Sequence, residues 1–364
     1  MTDSKIKILF ILPSLRAGGA ERVISFVAEN IDKSSFDPIL LIIGNEDESV
    51  YKTNPETTIF LNKRRVLLGI HGIYKHIRKL KPQIVVTSVG HLTGITAFIG
   101  IFFRKIKFVT RETNIRRIKI QYNPPARTYT RFVSHFSYRF LDLAICQSQD
   151  MATETKRLYN FKDEKIRVIN NPITTTFNDI EVNDINNGIP QFITVGRLSR
   201  DKGHARVLEA LAKLDFNFNY LIIGKGQEKE HLDQLIKDLN LESKIETINY
   251  TNKVPEFLQK ADVFLQGSYA EGFPNALLES CAVGTPALAF KSVGGTSEII
   301  DDGINGYIVE DEAEFIKKIQ QMTTTKLDRH KVRQSVFNKF NEAKILKQYE
   351  TVFKNLIRRK RPNK

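Results

Sequence analysis

The sequence predicts an α/β protein of two doubly wound, Rossmann-like domains in tandem, facing across a cleft. Three observations carry this prediction. The chain has 364 residues, too many for one ordinary α/β core and suited to two units of roughly 150 to 180 residues each. Short β-branched runs alternate with longer helical patterns almost from end to end, the signature of parallel strands joined by crossover helices. Midway, from Asn170 to Pro190, the alternation lapses into Asn, Thr, Asp and Gly without apolar periodicity, as expected of a linker.

In chain order, the expected strands of the first sheet are Lys7 to Leu12, Pro38 to Gly44, Thr58 to Leu61, Gln83 to Ser88, Lys107 to Thr110, Leu143 to Ser148 and Ile166 to Ile169. A second series follows the lapse: Phe192 to Val195, Tyr220 to Ile223, Lys244 to Ile248, Val263 to Gln266, Pro286 to Phe290 and Tyr307 to Val309. Helical patterns between them include His204 to Leu214, Gln227 to Leu239 and Pro274 to Val283, the last closed by Gly284 where left-handed glycines end helices. The longest apolar run, Leu92 to Phe103, is about half of the roughly 20 residues that cross a bilayer, and is expected as a buried helix.

Composition excludes several classes. Hydrophobic residues make up 41% and charged residues 26%, a balance that fits a globular protein and neither a disordered chain nor a disulfide scaffold. Cys146 and Cys281 each lie in an apolar stretch with no second thiol or histidine at metal-ligand spacing, so both are expected as reduced core residues. The opening residues, Met1 to Lys5 and then Ile6 to Leu12, are too short and too charged for a signal peptide, and a cytoplasmic chain is expected.

Three segments carry chemistry. From Ser268 to Glu279 a strand ends, Gly272 permits an unusual turn, and Pro274 suits the first position of a helix. That helix would aim the backbone N–H groups of Phe273, Asn275, Ala276 and Leu277, with Pro274 among them, beyond the strand ends, where open α/β sheets bind ligands. Glu271 in the loop and Glu279 more than one turn into the helix can border one pocket and accept hydrogen bonds from hydroxyls; the alternative is two ordinary solvated carboxylates. A second segment runs from Gly196 to Gly203, where Arg197 can fork onto phosphate oxygens and Lys202 adds a point charge, unless both merely decorate a basic turn. The third is the first strand-to-helix turn, in which Gly18 and Gly19 let a backbone approach an anion; it is neither a P-loop nor a dinucleotide fingerprint.

These blocks, with Gly224-Lys225-Gly226, Gly294-Gly295, Glu298-Ile299-Ile300, Gly303 and Asn305-Gly306, resemble the GT-B glycosyltransferases of family 4, which are retaining enzymes. The resemblance covers nearly the whole chain. It implies that Arg197 and Lys202 hold a donor diphosphate, that Glu279 contacts the ribose, and that Glu271 with the amides from Phe273 to Leu277 holds the transferred sugar. Gly18, Gly19, Gly196, Gly226 and Tyr250 are assigned to the same donor site. On the N-terminal wall, His91 matches a histidine that many relatives carry, or is a polar helix-entry residue; Glu112 matches a position that some relatives point towards the acceptor, or pairs simply with Arg111. The implied domains are residues 1–171, completed by a final helix at about 343–364, a linker at 172–189, and a second domain at 190–342.

The activity so implied is transfer of a hexose or N-acetylhexosamine from a nucleotide-diphosphate sugar, with UDP the expected nucleotide, to a saccharide acceptor. No Asp-x-Asp stands near a strand end, so no metal and no cofactor is expected. The rival readings are a nucleotide-sugar epimerase of the same fold and a non-catalytic nucleotide-sugar-binding subunit. Charge suggests the acceptor. Residues 1–170 hold 28 Lys+Arg against 15 Asp+Glu, whereas the remainder holds 27 against 26. Between Lys63 and Arg139, 17 basic residues accompany a single acid, Glu112. Apolar groups interleave with these cations from Val66 to Leu80 and from Arg127 to Phe140, a pattern suited to an anionic membrane surface, which the tail Arg358 to Arg361 would extend. No nucleic-acid recognition module is found, and the expected partner is a lipid-linked saccharide at the inner face of the cytoplasmic membrane.

Overall fold

The computed structural model describes residues 5–16, 18–113, 115, 121–122, 136–174, 177, 182 and 188–358. The chain divides into two compact units: Met1–Thr113 with Pro125–Pro172 and Ala343–Lys364, and Asn114–Pro124 with Ile173–Glu342. The final helix, Glu342–Arg358, therefore completes the first unit.

The first unit holds a seven-stranded sheet of β1 (Ile6–Leu12), β2 (Phe36–Ile42), β3 (Thr58–Phe60), β4 (Ile84–Ser88), β5 (Lys107–Arg111), β6 (Leu143–Cys146) and β7 (Ile166–Val168). Its order is β3-β2-β1-β4-β5-β6-β7, with every pairing parallel. Alternation along β1 builds both cores. Ile8, Phe10 and Leu12 face a cluster that includes Ile345, Tyr349 and Phe353 of the final helix, while Leu9 and Ile11 face the opposite one. The Phe353 ring meets Phe10 and Phe36 edge-on at 6.3 and 6.4 Å. Arg111, fully buried, donates from Nε to the Tyr349 hydroxyl at 2.9 Å and from Nη2 to Asn171. The apolar run expected as a buried helix is buried over much of Gly90–Gly100, but Ile101 and Phe102 just past its end are exposed.

The second unit repeats the winding. Its six-stranded sheet contains β8 (Gln191–Val195), β9 (Asn219–Ile223), β10 (Ile245–Ile248), β11 (Val263–Gln266), β13 (Ala287–Phe290) and β15 (Gly306–Val309), in the order β10-β9-β8-β11-β13-β15. Two short strands outside it, β12 (Ala270–Glu271) and β14 (Val293–Gly294), pair with each other. Gly284 ends the helix Asn275–Ala282 with φ of 87°.

Three expectations are revised. Within the segment expected as a linker, Ile173 and Phe177 are buried in the second unit's core, and the Ile173 amide donates to the Phe340 carbonyl at 2.8 Å. Two isolated apolar side chains among polar neighbours leave no periodic signal. Ile115 and Tyr122, expected within the first domain, pack with the second unit. Pro274 is the cap before the helix and not its first residue, with ψ of 95°, and its carbonyl accepts from the Leu278 amide.

Candidate active site

In each sheet the strand order reverses once, between β1 and β4 and between β8 and β11. Loops leaving the carboxyl ends of such neighbouring strands open the crevice in which doubly wound sheets bind ligands. In the second unit these loops are Gly196–Gly203 after β8 and Gly267–Gly272 after β11. Their backbones touch: a Cβ on Gly203 would stand 2.0 Å from the Gly267 carbonyl oxygen, and one on Gly267 would stand 2.2 Å from that of Gly203. Only glycine fits on either side of that contact.

This approach brings together residues far apart in the chain. The Lys202 ammonium donates to Glu271 Oε1 at 2.6 Å, and the Ser268 hydroxyl donates to the same oxygen at 2.6 Å. Glu271 is buried, whereas the Lys202 side chain keeps 27% of its surface accessible. An ammonium has three donors, so those not spent on Glu271 can meet a ligand oxygen. Arg197 is exposed, and its guanidinium makes no hydrogen bond or ion pair with any described residue. Its carbonyl, by contrast, is held by His204 Nε2 at 3.0 Å. Burial lowers the pKa of His204 below its ordinary value, against the opposing effect of that hydrogen bond, so a neutral ring donates to Arg197.

The remaining donor-site candidates of the second unit lie on the turn after β8, on the loops after β9 and β10, and on the helix after β12. A Cβ on Gly224 would lie 1.8 Å from the Gly196 carbonyl oxygen and one on Gly226 2.0 Å from that of Leu198, so this loop is pressed onto the Arg197 turn. Gly196 itself faces open space. Tyr250 is 62% exposed beyond the end of β10. Phe273 turns its ring into the core, edge-on to Phe340 at 5.3 Å. Asn275, Ala276 and Leu277 form the first turn of the helix, and Glu279 is buried in the next. Gly294, with φ of 118°, packs on the Glu271 carbonyl, where a Cβ would come within 1.6 Å.

A clamp that sequence reasoning missed surrounds Ser268. Arg206 donates from Nε to the Gly267 carbonyl at 2.5 Å and from Nη2 to the Ser268 carbonyl at 2.6 Å, and its guanidinium lies 4.2 Å from the ring centres of both Tyr269 and Phe290. The Tyr269 amide donates to the Asp201 carbonyl at 2.9 Å. Tyr122 stacks on Tyr269 with centroids 4.7 Å apart and planes 14° apart. No local motif announces contacts between residues so distant in sequence.

In the first unit, Gly18 caps the helix Gly19–Asn30 and exchanges hydrogen bonds with the Tyr51 hydroxyl at 3.2 and 3.0 Å. Val89, just after β4, has φ of 78°. A β-branched residue held there costs about 1–3 kcal/mol and marks a constrained loop. Exposed His91 follows it in the helix Gly90–Gly100. Glu112 follows β5, whose Arg111 is paired with Ser88 of β4. The alternative pairing of Glu112 with Arg111 is not formed: Glu112 accepts from the Thr110 and Tyr138 hydroxyls at 3.0 and 2.7 Å, while Arg111 is committed to Tyr349 and Asn171. Burial, and then the Glu112 charge, push the Tyr138 phenol well above its ordinary pKa, so it stays a donor.

The edge formed by the loops after β1, β2 and β3 contains a pocket of about 530 Å³. Arg16, Lys63, Arg64 and Arg65 line it with Glu48, which pairs with Arg16. Lys63, Arg64 and Arg65 are exposed and make no side-chain hydrogen bond or ion pair with any described residue. Beside them Leu67 and Leu68 are 69% and 62% exposed, at the entrance to the amphipathic helix Ile70–Leu80. Arg116, Arg117, Lys119, the stretch from Arg127 to Arg131 and the tail Arg359 to Arg361 lie outside the described residues.

Comparison with known proteins identifies this architecture. The family "Glycosyltransferase Family 4" matches residues 17–177, and "Glycosyl transferases group 1" matches residues 176–339. A curated relative from Campylobacter jejuni, N-acetylgalactosamine-N,N'-diacetylbacillosaminyl-diphospho-undecaprenol 4-alpha-N-acetylgalactosaminyltransferase, is 27% identical over 92% of this chain and 93% of its own. Among solved structures, the lipopolysaccharide outer core galactosyltransferase WaaB superposes with a TM-score of 0.75 at 17% identity, over 96% of this chain and 99% of its own. Anabaena HepE, solved in complex with UDP, superposes with a TM-score of 0.77 at 18% identity, over 96% and 100%. With both halves matched in tandem and the two sheets matching GT-B structures, the chain belongs to the GT-B glycosyltransferases.

Proposed function

We propose that this glycosyltransferase is a retaining, metal-independent enzyme that moves a hexose or N-acetylhexosamine from a nucleotide-diphosphate sugar, UDP being the expected nucleotide, to a saccharide carried on a polyprenyl diphosphate. The observation that carries the donor reading is the Lys202–Glu271 pair beside the uncommitted Arg197, at the reversal of the second sheet. When the anomeric carbon parts from the diphosphate, negative charge grows on the leaving oxygen while the sugar becomes cationic. Arg197 and the remaining Lys202 donors match that charge, and the Lys202 ammonium, already held on Glu271, needs little reorganisation as it develops. Glu271 orients Lys202 and can accept from sugar hydroxyls. In a front-face reaction the acceptor oxygen bonds to the same face that the phosphate leaves, and the departing phosphate oxygen takes the acceptor's proton.

The acceptor reading rests on the first unit. The curated relative is named for a diphospho-undecaprenol substrate. In this chain the cations of the 530 Å³ pocket suit a diphosphate, and the adjoining exposed leucines suit a lipid surface. No helix among the described residues is long and apolar enough to cross a membrane. The association we propose is peripheral, at the inner face of the cytoplasmic membrane.

The test incubates the purified chain with a panel of nucleotide sugars and a polyprenyl-diphosphate saccharide, in EDTA, with NMR of the product. Transfer with the donor's anomeric configuration kept is the expected result. Inversion, or rescue only by added Mg²⁺ or Mn²⁺, refutes the mechanism. Donor conversion without acceptor would reveal an epimerase, and donor binding without turnover a non-catalytic subunit. In a vesicle sedimentation arm, binding should need anionic lipid, fall with salt, and drop when Lys63, Arg64 and Arg65 become Glu; equal binding to neutral vesicles removes the membrane claim.

A further inference from the structure

The segment Asn114–Pro124 belongs by contact to the second unit although its neighbours in sequence belong to the first. Its described residues dock on the donor-side loops at two points. Ile115 is buried, with its Cδ1 only 2.8 Å from where a Cβ of Gly294 would stand, and Gly294 is the β-partner of Glu271. Tyr122 lies flat on Tyr269. Tyr269 is the hub of the site: its amide holds the Asp201 carbonyl next to Lys202, it stands two residues before Glu271, and Arg206 stacks on its ring while holding the Gly267 and Ser268 carbonyls. A displacement of Tyr269 is thereby transmitted to both partners of the Lys202–Glu271 pair.

We propose that Tyr122 is a positioning residue of the donor site, closing the Arg206–Tyr269 stack and so fixing the turn that sets Lys202 against Glu271. The inference rests on the donor reading given above. It requires an aromatic ring at 122 and not the hydroxyl, because the contact is a near-parallel stack. Residue 122 touches neither diphosphate nor sugar in this scheme; it acts by placing Lys202 against Glu271, and because the Lys202 charge is matched to the leaving oxygen as it departs, the effect is read in turnover more than in donor affinity.

The experiment compares Tyr122→Ala and Tyr122→Phe in the full chain by steady-state kinetics and by hydrogen exchange at the Tyr269 amide. A single aromatic contact of this type translates into between about twofold and tenfold in an equilibrium or rate. Tyr122→Ala should lower kcat by up to about tenfold with the donor KM nearly unchanged, and should speed Tyr269 exchange by a similar factor; Tyr122→Phe should restore both. Unchanged exchange in Tyr122→Ala overturns the proposal, as does faster exchange with normal kcat, or equal impairment by Ala and Phe. A wild-type chain that turns over no nucleotide sugar instead brings down the donor reading. The exchange result still reports whether Tyr122 holds the loop.

Discussion

The two sheets share one winding and differ in how their reversal points are furnished. In the second unit, two loops meet glycine against glycine, and apart from the exposed Arg197 guanidinium most polar groups named there are committed: Lys202 and Ser268 to Glu271, His204 to the Arg197 carbonyl, Arg206 to two carbonyls and two rings. In the first unit, the corresponding edge carries the strained Val89, exposed His91 and a pocket whose Lys63, Arg64 and Arg65 have no side-chain partner among the described residues. Charge divides likewise, since the first 170 residues carry nearly all of the net excess. One architecture thus carries a hydrogen-bonded cluster of polar side chains in one copy and an exposed cationic edge in the other. The former suits stabilisation of a developing charge and the latter suits a ligand held by long-range attraction.

That contrast can be broken in order of expected effect. Arg197→Ala or Lys202→Ala should lower turnover about a hundredfold or more with the fold intact, because each removes charge stabilisation from a preorganised site. Near-normal turnover at saturating donor in either variant would show that the second unit's order serves structure alone. Glu279→Ala should weaken donor binding by about tenfold while kcat stays within about threefold, since a contact equal in ground and transition states affects binding alone. A large fall in kcat at unchanged donor affinity would move Glu279 into the chemistry. The smallest effect concerns His204. Its pKa is depressed by burial, so its contribution to stability is present above its unfolded value of about 6.5 and is lost as pH falls through the lower folded value. Denaturant midpoints should therefore drop between about pH 7 and pH 5, and less so in His204→Gln, which keeps an N–H donor without titrating. An identical pH dependence in the variant would assign the acid sensitivity to other groups.

Much of this was legible in the sequence, for a physical reason. Parallel strands buried on both faces must be continuous apolar runs, and the Gly-rich turns that follow them are dictated by close backbone approach. Arg197, Lys202 and Glu271 stand as candidates by their places after such runs, and the fold brings Lys202 and Glu271 into contact. What escaped has no local pattern. The two-residue strands β12 and β14 are too short for periodicity. The positive φ of Val89 is contrary to the preference of its residue type. Ile173, Phe177, Ile115 and Tyr122 are single side chains whose burial or stacking is decided by partners elsewhere in the chain.

The final helix has a consequence for how the molecule is made. It covers one face of β1, and Glu350 accepts from the Asp32 amide across 318 positions of chain. The first unit to leave the ribosome therefore cannot bury Phe10 and Phe36 against Phe353 until nearly all the rest has been synthesised. During that interval an apolar sheet face is uncovered, and the chain depends on its slow, long-range closure being faster than association with other nascent chains. The second unit, Ile173–Glu342 but for its one inserted segment, is finished before the first.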